Sequence, residues 1–162
     1  KKFAKRSASS RDTAMTDNRK WYVLDVKDQI LGRSSSKAAF VLQGKHNPAY
    51  VGNKDMGDHV IVLNASLVKL TGDKWTQRFH YHHSRFAGGI TKRSAKEVAQ
   101  KDPRKLLIQS IDGMLPRNRM RRSMMMRFHV YAGDTHPHQN VTPVVLKADM
   151  TAKAREKQQS SN

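Results

Sequence analysis

The sequence predicts an α/β fold: a small, mostly parallel sheet flanked by helices, with an extended basic N-terminal arm and a polar C-terminal tail. Three observations carry that expectation. Trp21-Tyr-Val-Leu-Asp-Val26 and His59-Val-Ile-Val-Leu-Asn64 are near-continuous apolar runs, as in strands covered on both faces. Between them Leu31, Ser35, Ala38, Ala39 and Leu42 recur at helical spacing, and Gly44 marks the stop. Strand, helix and strand at this separation make a parallel βαβ unit, since parallel strands need a crossover between them.

The remaining elements follow in order. In Leu67-Val-Lys-Leu-Thr-Gly-Asp-Lys-Trp75, Gly72-Asp73 between β-formers reads as a hairpin turn. Phe79 and Tyr81 alternate with His80 and His82, as on a half-exposed strand. Ser94 with Glu97 three residues on reads as a capping box. Pro103 suits the first turn of a further helix whose buried stripe is Leu107, Ile111, Met114 and Leu115, with Lys105, Gln109 and Asp112 facing away. A third helix is expected over Asn118–Arg127, and Phe128, Val130 and Ala132 alternate with His129 and Tyr131 as a last strand. The expected organisation is a basic arm (1–20), a patterned body (21–133) and an extended tail (134–162) with helix near Ala148–Gln158.

Composition narrows the function. The 162 residues hold 31 Lys and Arg against 13 Asp and Glu, a net charge of +18. Ordinary solubility needs a net charge of only about 2–8, and a compact body with this excess repels itself, so a polyanion is the expected partner. The absence of cysteine rules out disulfides and thiolate zinc sites. No run approaches the ~18 apolar residues of a membrane helix. The chain does not open on Met, as expected of a processed or incomplete start. Lys1–Lys20 is basic and Ser-rich and lacks the apolar stretch of a secretory signal; its composition suits either an organelle-targeting remnant or an RNA-contacting tail.

The strongest local signal is Gly113-Met-Leu-Pro-Arg-Asn-Arg-Met-Arg-Arg-Ser-Met-Met-Met-Arg127. It places Arg117, Arg119, Arg121, Arg122 and Arg127 together with no acid among them. On a helix Arg119 and Arg122 share one face and Arg117 and Arg121 another, while Met120, Met124 and Phe128 anchor the other side. The planar guanidinium bonds two phosphate oxygens at once. Phe79-His-Tyr-His-His-Ser-Arg-Phe-Ala-Gly-Gly-Ile-Thr-Lys-Arg93 interleaves aromatics with His82, His83, Arg85, Lys92 and Arg93, around Gly88 and Gly89. Aromatic and guanidinium planes stack on unpaired bases, and the glycines let backbone approach a sugar–phosphate chain. Gly32-Arg-Ser-Ser-Ser-Lys37 lies where a phosphate loop would but lacks the second Gly of a Walker motif. The helix start, with Arg33 and Lys37, remains a single-phosphate candidate. Lys45 and His46 follow the first helix stop, and His136 and His138 lie in the extended tail; both pairs are candidates for RNA contact. Each of these segments also reads as a solvated basic face. A nuclease or metal hydrolase built on His80, His82, His83, Asp55 and Asp58 is the competing class, but the histidine spacing completes no HExxH or separated-pair site. A free regulatory RNA-binding protein is a second alternative. No metal, cofactor or small-molecule substrate is expected.

The motifs in order resemble the ribosomal protein L-thirteen family of the large subunit. The resemblance rests on WYVLDVKDQILGR (21–33), LQGKHNPAY (42–50), DMGDHVIVLNA (55–65), LTGDKW (70–75), YHHSRFAGG (81–89), GMLPRNRM (113–120) and HVYAGDTHPH (129–138). It implies a structural protein rather than an enzyme, bound to 23S-type rRNA and to neighbouring large-subunit proteins, with a role in subunit assembly. By position it implies RNA-facing segments at Lys45 and His46, His82–Gly89, Arg117–Arg122, and His136 and His138. Met120-Arg121-Arg122 and the ending HVYAGDTHPH look more like mitochondrial members, and the arm before Trp21 and the tail after His138 differ from short bacterial forms. They imply a mitochondrial ribosome, with a plastid or the bacterial cytoplasm as the alternatives.

Overall fold

The computed structural model describes residues 19–138 and 141–146; most of the arm and the helix expected near Ala148–Gln158 lie outside the described residues. Strand β1 (Trp21–Asp25) leads through helix α1 (Leu31–Leu42) to β2 (His59–Leu63), which lies parallel to β1 with Trp21 opposite His59 and Asp25 opposite Leu63. The predicted βαβ unit is present. A short helix α2 (Lys74–Gln77) precedes an antiparallel ribbon of β3 (Phe79–His83) and β4 (Ile90–Ser94). Helices α3 (Ala95–Lys101), α4 (Arg104–Met114) and α5 (Met120–Met126) follow, then β5 (Phe128–Val130) and β6 (Val144–Val145). The main sheet has the order β5-β2-β1-β6, and every pair in it is parallel.

Period-2 geometry divides the strands between two faces. Leu24, Val60, Val62 and Phe128 turn toward the helices and join one core with Leu31, Leu42, Leu107 and Ile111. Helix α1 packs on α4, where the Gln43 side chain donates to the Met114 carbonyl at 3.2 Å, and Ser34 and Ser35 of α1 are both buried. The Ser34 hydroxyl donates to Gln29 Oε1 at 3.0 Å, which offsets the desolvation of a buried polar group. Helix α1 stops where Gly44 takes φ +78°. A Cβ there would lie 2.5 Å from the Met56 carbonyl oxygen, so the position requires glycine for conformation and for space.

Ser94 caps α3 as expected. Its hydroxyl accepts from the Glu97 N–H at 3.3 Å and donates to the Glu97 carboxylate at 3.0 Å. Ser94→Ala should therefore lower stability by about 1 kcal/mol, read as a shifted urea midpoint at unchanged slope. Four expectations need correction. Gly72-Asp73 does not turn a hairpin: Lys69 N–H donates to the Gln29 carbonyl and Leu31 N–H to the Lys69 carbonyl, both at 2.9 Å. The segment is thus bonded to the loop before α1, and the chain coils into α2 after the turn. The aromatic strand belongs to a separate ribbon whose second strand, β4, lacks apolar alternation in Thr91-Lys92-Arg93 and went unpredicted. In α4, Leu106 is buried, whereas Met114 is 39% exposed at the last position of the helix. Part of the region expected to be a tail also folds back, since β6 pairs with β1.

Candidate nucleic-acid interface

The cationic residues separate into free and engaged groups. Arg117, Arg119 and Arg122 are exposed around the start of α5, and among the described residues none of them has a carboxylate partner. Helix α5 begins at Met120, so Arg117 precedes it and shares no helical face with Arg121. Below this surface Met124 is buried and Met120 packs on the core, as the spacing predicted. Arg121 is half-buried and ion-paired with Asp112 one helix away. Arg127 must leave the interface altogether. It is 4% exposed, and its two terminal nitrogens donate to both oxygens of Asp55 at 2.6 and 2.5 Å. As the C-cap of α5, the residue turns inward with Phe128 rather than outward with Arg122.

The ribbon presents His82, His83, Arg85, Lys92 and Arg93 to solvent. Lys92 Nζ sits 3.7 Å from the Phe79 ring centroid, leaving Tyr81 and Phe86 67% and 78% exposed. Its tip is built by backbone geometry. Gly88 takes φ +72° with open space beside it, whereas a Cβ on Gly89 would lie 1.9 Å from the Ser84 hydroxyl. Gly89 therefore closes the loop on itself, and Gly88 is the glycine free for an approaching backbone. Arg33 and Lys37 lie within α1, one turn apart. The Gly32–Lys37 segment is not a loop: Leu31 N–H already serves Lys69, and the Ser36 hydroxyl donates to Gly32 at 2.8 Å. Lys45 is exposed, while His46 Nε2 lies 2.7 Å from Asp58.

His136 and His138 sit on the second face of the sheet, in an aromatic stack absent from the sequence reading. Trp21 stacks on His59 with centroids 4.0 Å apart, and His138 lies 4.7 Å from His129 and bonds the Tyr131 hydroxyl at 2.9 Å. The usable signal was register: Trp21, His59 and His129 fall on one face of adjacent parallel strands. Burial, then His129 and the nearby Arg127 and Arg19, hold His59 down at about 4; burial and His138 lower His129. The unfolded chain thus binds more protons than the fold between about pH 6.5 and 4, so stability should fall as pH drops through that window. With solvent screening discounted, His59 contributes a loss of about 1 kcal/mol from pH 7 to 5. Urea midpoints at the two pH values, compared with His59→Phe, measure it.

The nuclease alternative loses its carboxylates. Asp55 serves Arg127, and Asp58 serves His46 and accepts the Lys20 N–H at 3.1 Å. Among the described residues no three His, Cys, Asp or Glu side chains gather as a metal set. What remains is a rigid α/β scaffold with cationic groups spread over several exteriors, the class of protein built to hold a polyanion. The chain belongs to the ribosomal protein L13 family, whose profile matches residues 19–137. It is similar to the large ribosomal subunit protein uL13 of Leuconostoc citreum, 48% identical over 128 residues (79% of this chain, 87% of the relative). The Saccharopolyspora erythraea protein of the same name is 48% identical over 123 residues (76% and 83%), and that of Syntrophomonas wolfei 46% over 126 (78% and 88%). These relatives are bacterial and give no support to a mitochondrial assignment.

Proposed function

We propose that this chain is a structural constituent of a large ribosomal subunit, binding 23S-type rRNA and neighbouring subunit proteins and supporting assembly and translation without catalysis. The observation that carries the reading is the exposed, acid-free cluster of Arg117, Arg119 and Arg122 on a chain of net charge +18. Lys45, Arg33, Lys37 and the ribbon cations supply further phosphate contacts, and the core holds these groups at fixed spacing. The bacterial relatives support a bacterial-type particle in the bacterial cytoplasm. The proposed RNA-binding body begins at Trp21 and, beyond the boundary expected at 133, includes β6, whose Val144 and Val145 pair with β1.

Sucrose-gradient sedimentation of lysate from cells expressing the tagged chain tests this. The chain is expected in the large-subunit peak, and recovery only at the top of the gradient would refute the assignment. With about eight phosphates neutralised, rRNA affinity should fall with a log–log salt slope near −6 to −7.

A further inference from the structure

We propose that the cleft between the β3–β4 ribbon and helices α3 and α4 holds a single unstacked nucleotide, base inward and phosphate at the rim. This rests on the rRNA-binding reading and names one of its contacts. The cleft measures about 360 Å³, within the usual range for small-ligand sites. Its apolar wall comes from Val98 and Ile108, and its rim carries Arg93, Lys101 and Lys105. The acid that lines it, Glu97, is tied into the Ser94 cap. His80 and Arg93 are cross-strand partners, so both project from the ribbon face that looks into the cleft. His80 Nε2 is buried and has no hydrogen-bond partner. Burial and then Arg78 lower the His80 pKa, which favours the neutral ring with one donor and one acceptor nitrogen. An apolar wall, an unspent imidazole and three cations at the mouth match the three parts of a nucleotide: a flat ring, its polar edge and its phosphate. An acidic peptide would meet the cations but leave the wall and His80 without partners.

Isotope-labelled full-length chain titrated with adenosine 5′-monophosphate, adenosine or inorganic phosphate tests the site by NMR. The monophosphate should shift the His80 ring and the Val98 and Ile108 methyls together; adenosine should shift the same groups at higher concentration, and phosphate only the Lys101 and Lys105 signals. Thr91→Trp, an exposed strand position on the cleft wall, should abolish the methyl shifts and weaken rRNA binding about tenfold, on the order of losing one base contact. Lys101→Glu with Lys105→Glu, which leaves the core untouched, should do the same. The proposal falls if the monophosphate moves none of the cleft signals, or if a glutamate-rich peptide moves them and the monophosphate does not. It also falls if both variants bind rRNA like the parent; in these cases rRNA binding by the parent keeps the wider reading intact. Failure of the parent chain to bind rRNA overturns both.

Discussion

Asp55→Ala is expected to lower stability by about 3–5 kcal/mol, the loss typical of removing one partner from a buried ion pair. In a domain of this size that is a fall of roughly 10–15 °C in melting temperature. Arg127 is 4% exposed, and Asp55 is its partner through both oxygens. Asp55 also faces Arg19, whose guanidinium reaches its carboxylate at 3.8 Å and its carbonyl at 3.2 Å. Burial and then the charge of Arg127 lower the Arg19 pKa, and the carboxylates of Asp55 and then Asp58 oppose that shift. The pair ties the loop after α1 to the junction of α5 and β5, where the Arg127 carbonyl accepts from Val60 N–H at 3.0 Å. Arg127→Met should cost a similar amount, but the double variant should be more stable than the sum of the two losses allows, because neither charge is left alone in the interior. Urea denaturation of the four proteins gives the cycle. An Asp55→Ala change within 0.5 kcal/mol of the parent would show that water reaches the guanidinium and that the pair has no structural weight.

Replacing Arg117, Arg119 and Arg122 together by Gln should weaken rRNA binding on the order of a hundredfold at about 0.1 M salt and make the salt slope shallower by about 2–3. The three are exposed and lack carboxylate partners among the described residues, so their loss should leave the melting temperature within about 2 °C. Arg121→Gln alone should change binding less than any one of them, because Asp112 already engages that side chain. Filter binding against salt, with calorimetry on the same proteins, separates the outcomes. An unchanged slope would remove this surface from the interface.

The cluster's importance was legible because charge is local: five arginines without an acid are visible in any window that contains them. Their division was not. Arg121 and Arg127 are chemically the same as Arg119 and Arg122. Asp112, and Asp55 far upstream, select which two turn inward, and neither acid lies in the arginine segment. The same limit explains the histidines. His82 and His83 are exposed on β3, whereas His46 and His138 are held by Asp58 and Tyr131. Gly89, chosen as room for a nucleic-acid backbone, is needed by Ser84 of its own loop.

By itself the sequence determined the α/β class, the parallel βαβ unit, the capping box at Ser94 and the family, because periodicity, caps and ordered motifs are short-range patterns. Only the tertiary structure decided the β5-β2-β1-β6 order, the separate ribbon, the buried Arg127–Asp55 pair and the nucleotide-sized cleft beside His80. Each of those depends on residues far apart in the chain meeting where water is excluded. There the desolvation of one group is offset only by the partner that the fold supplies.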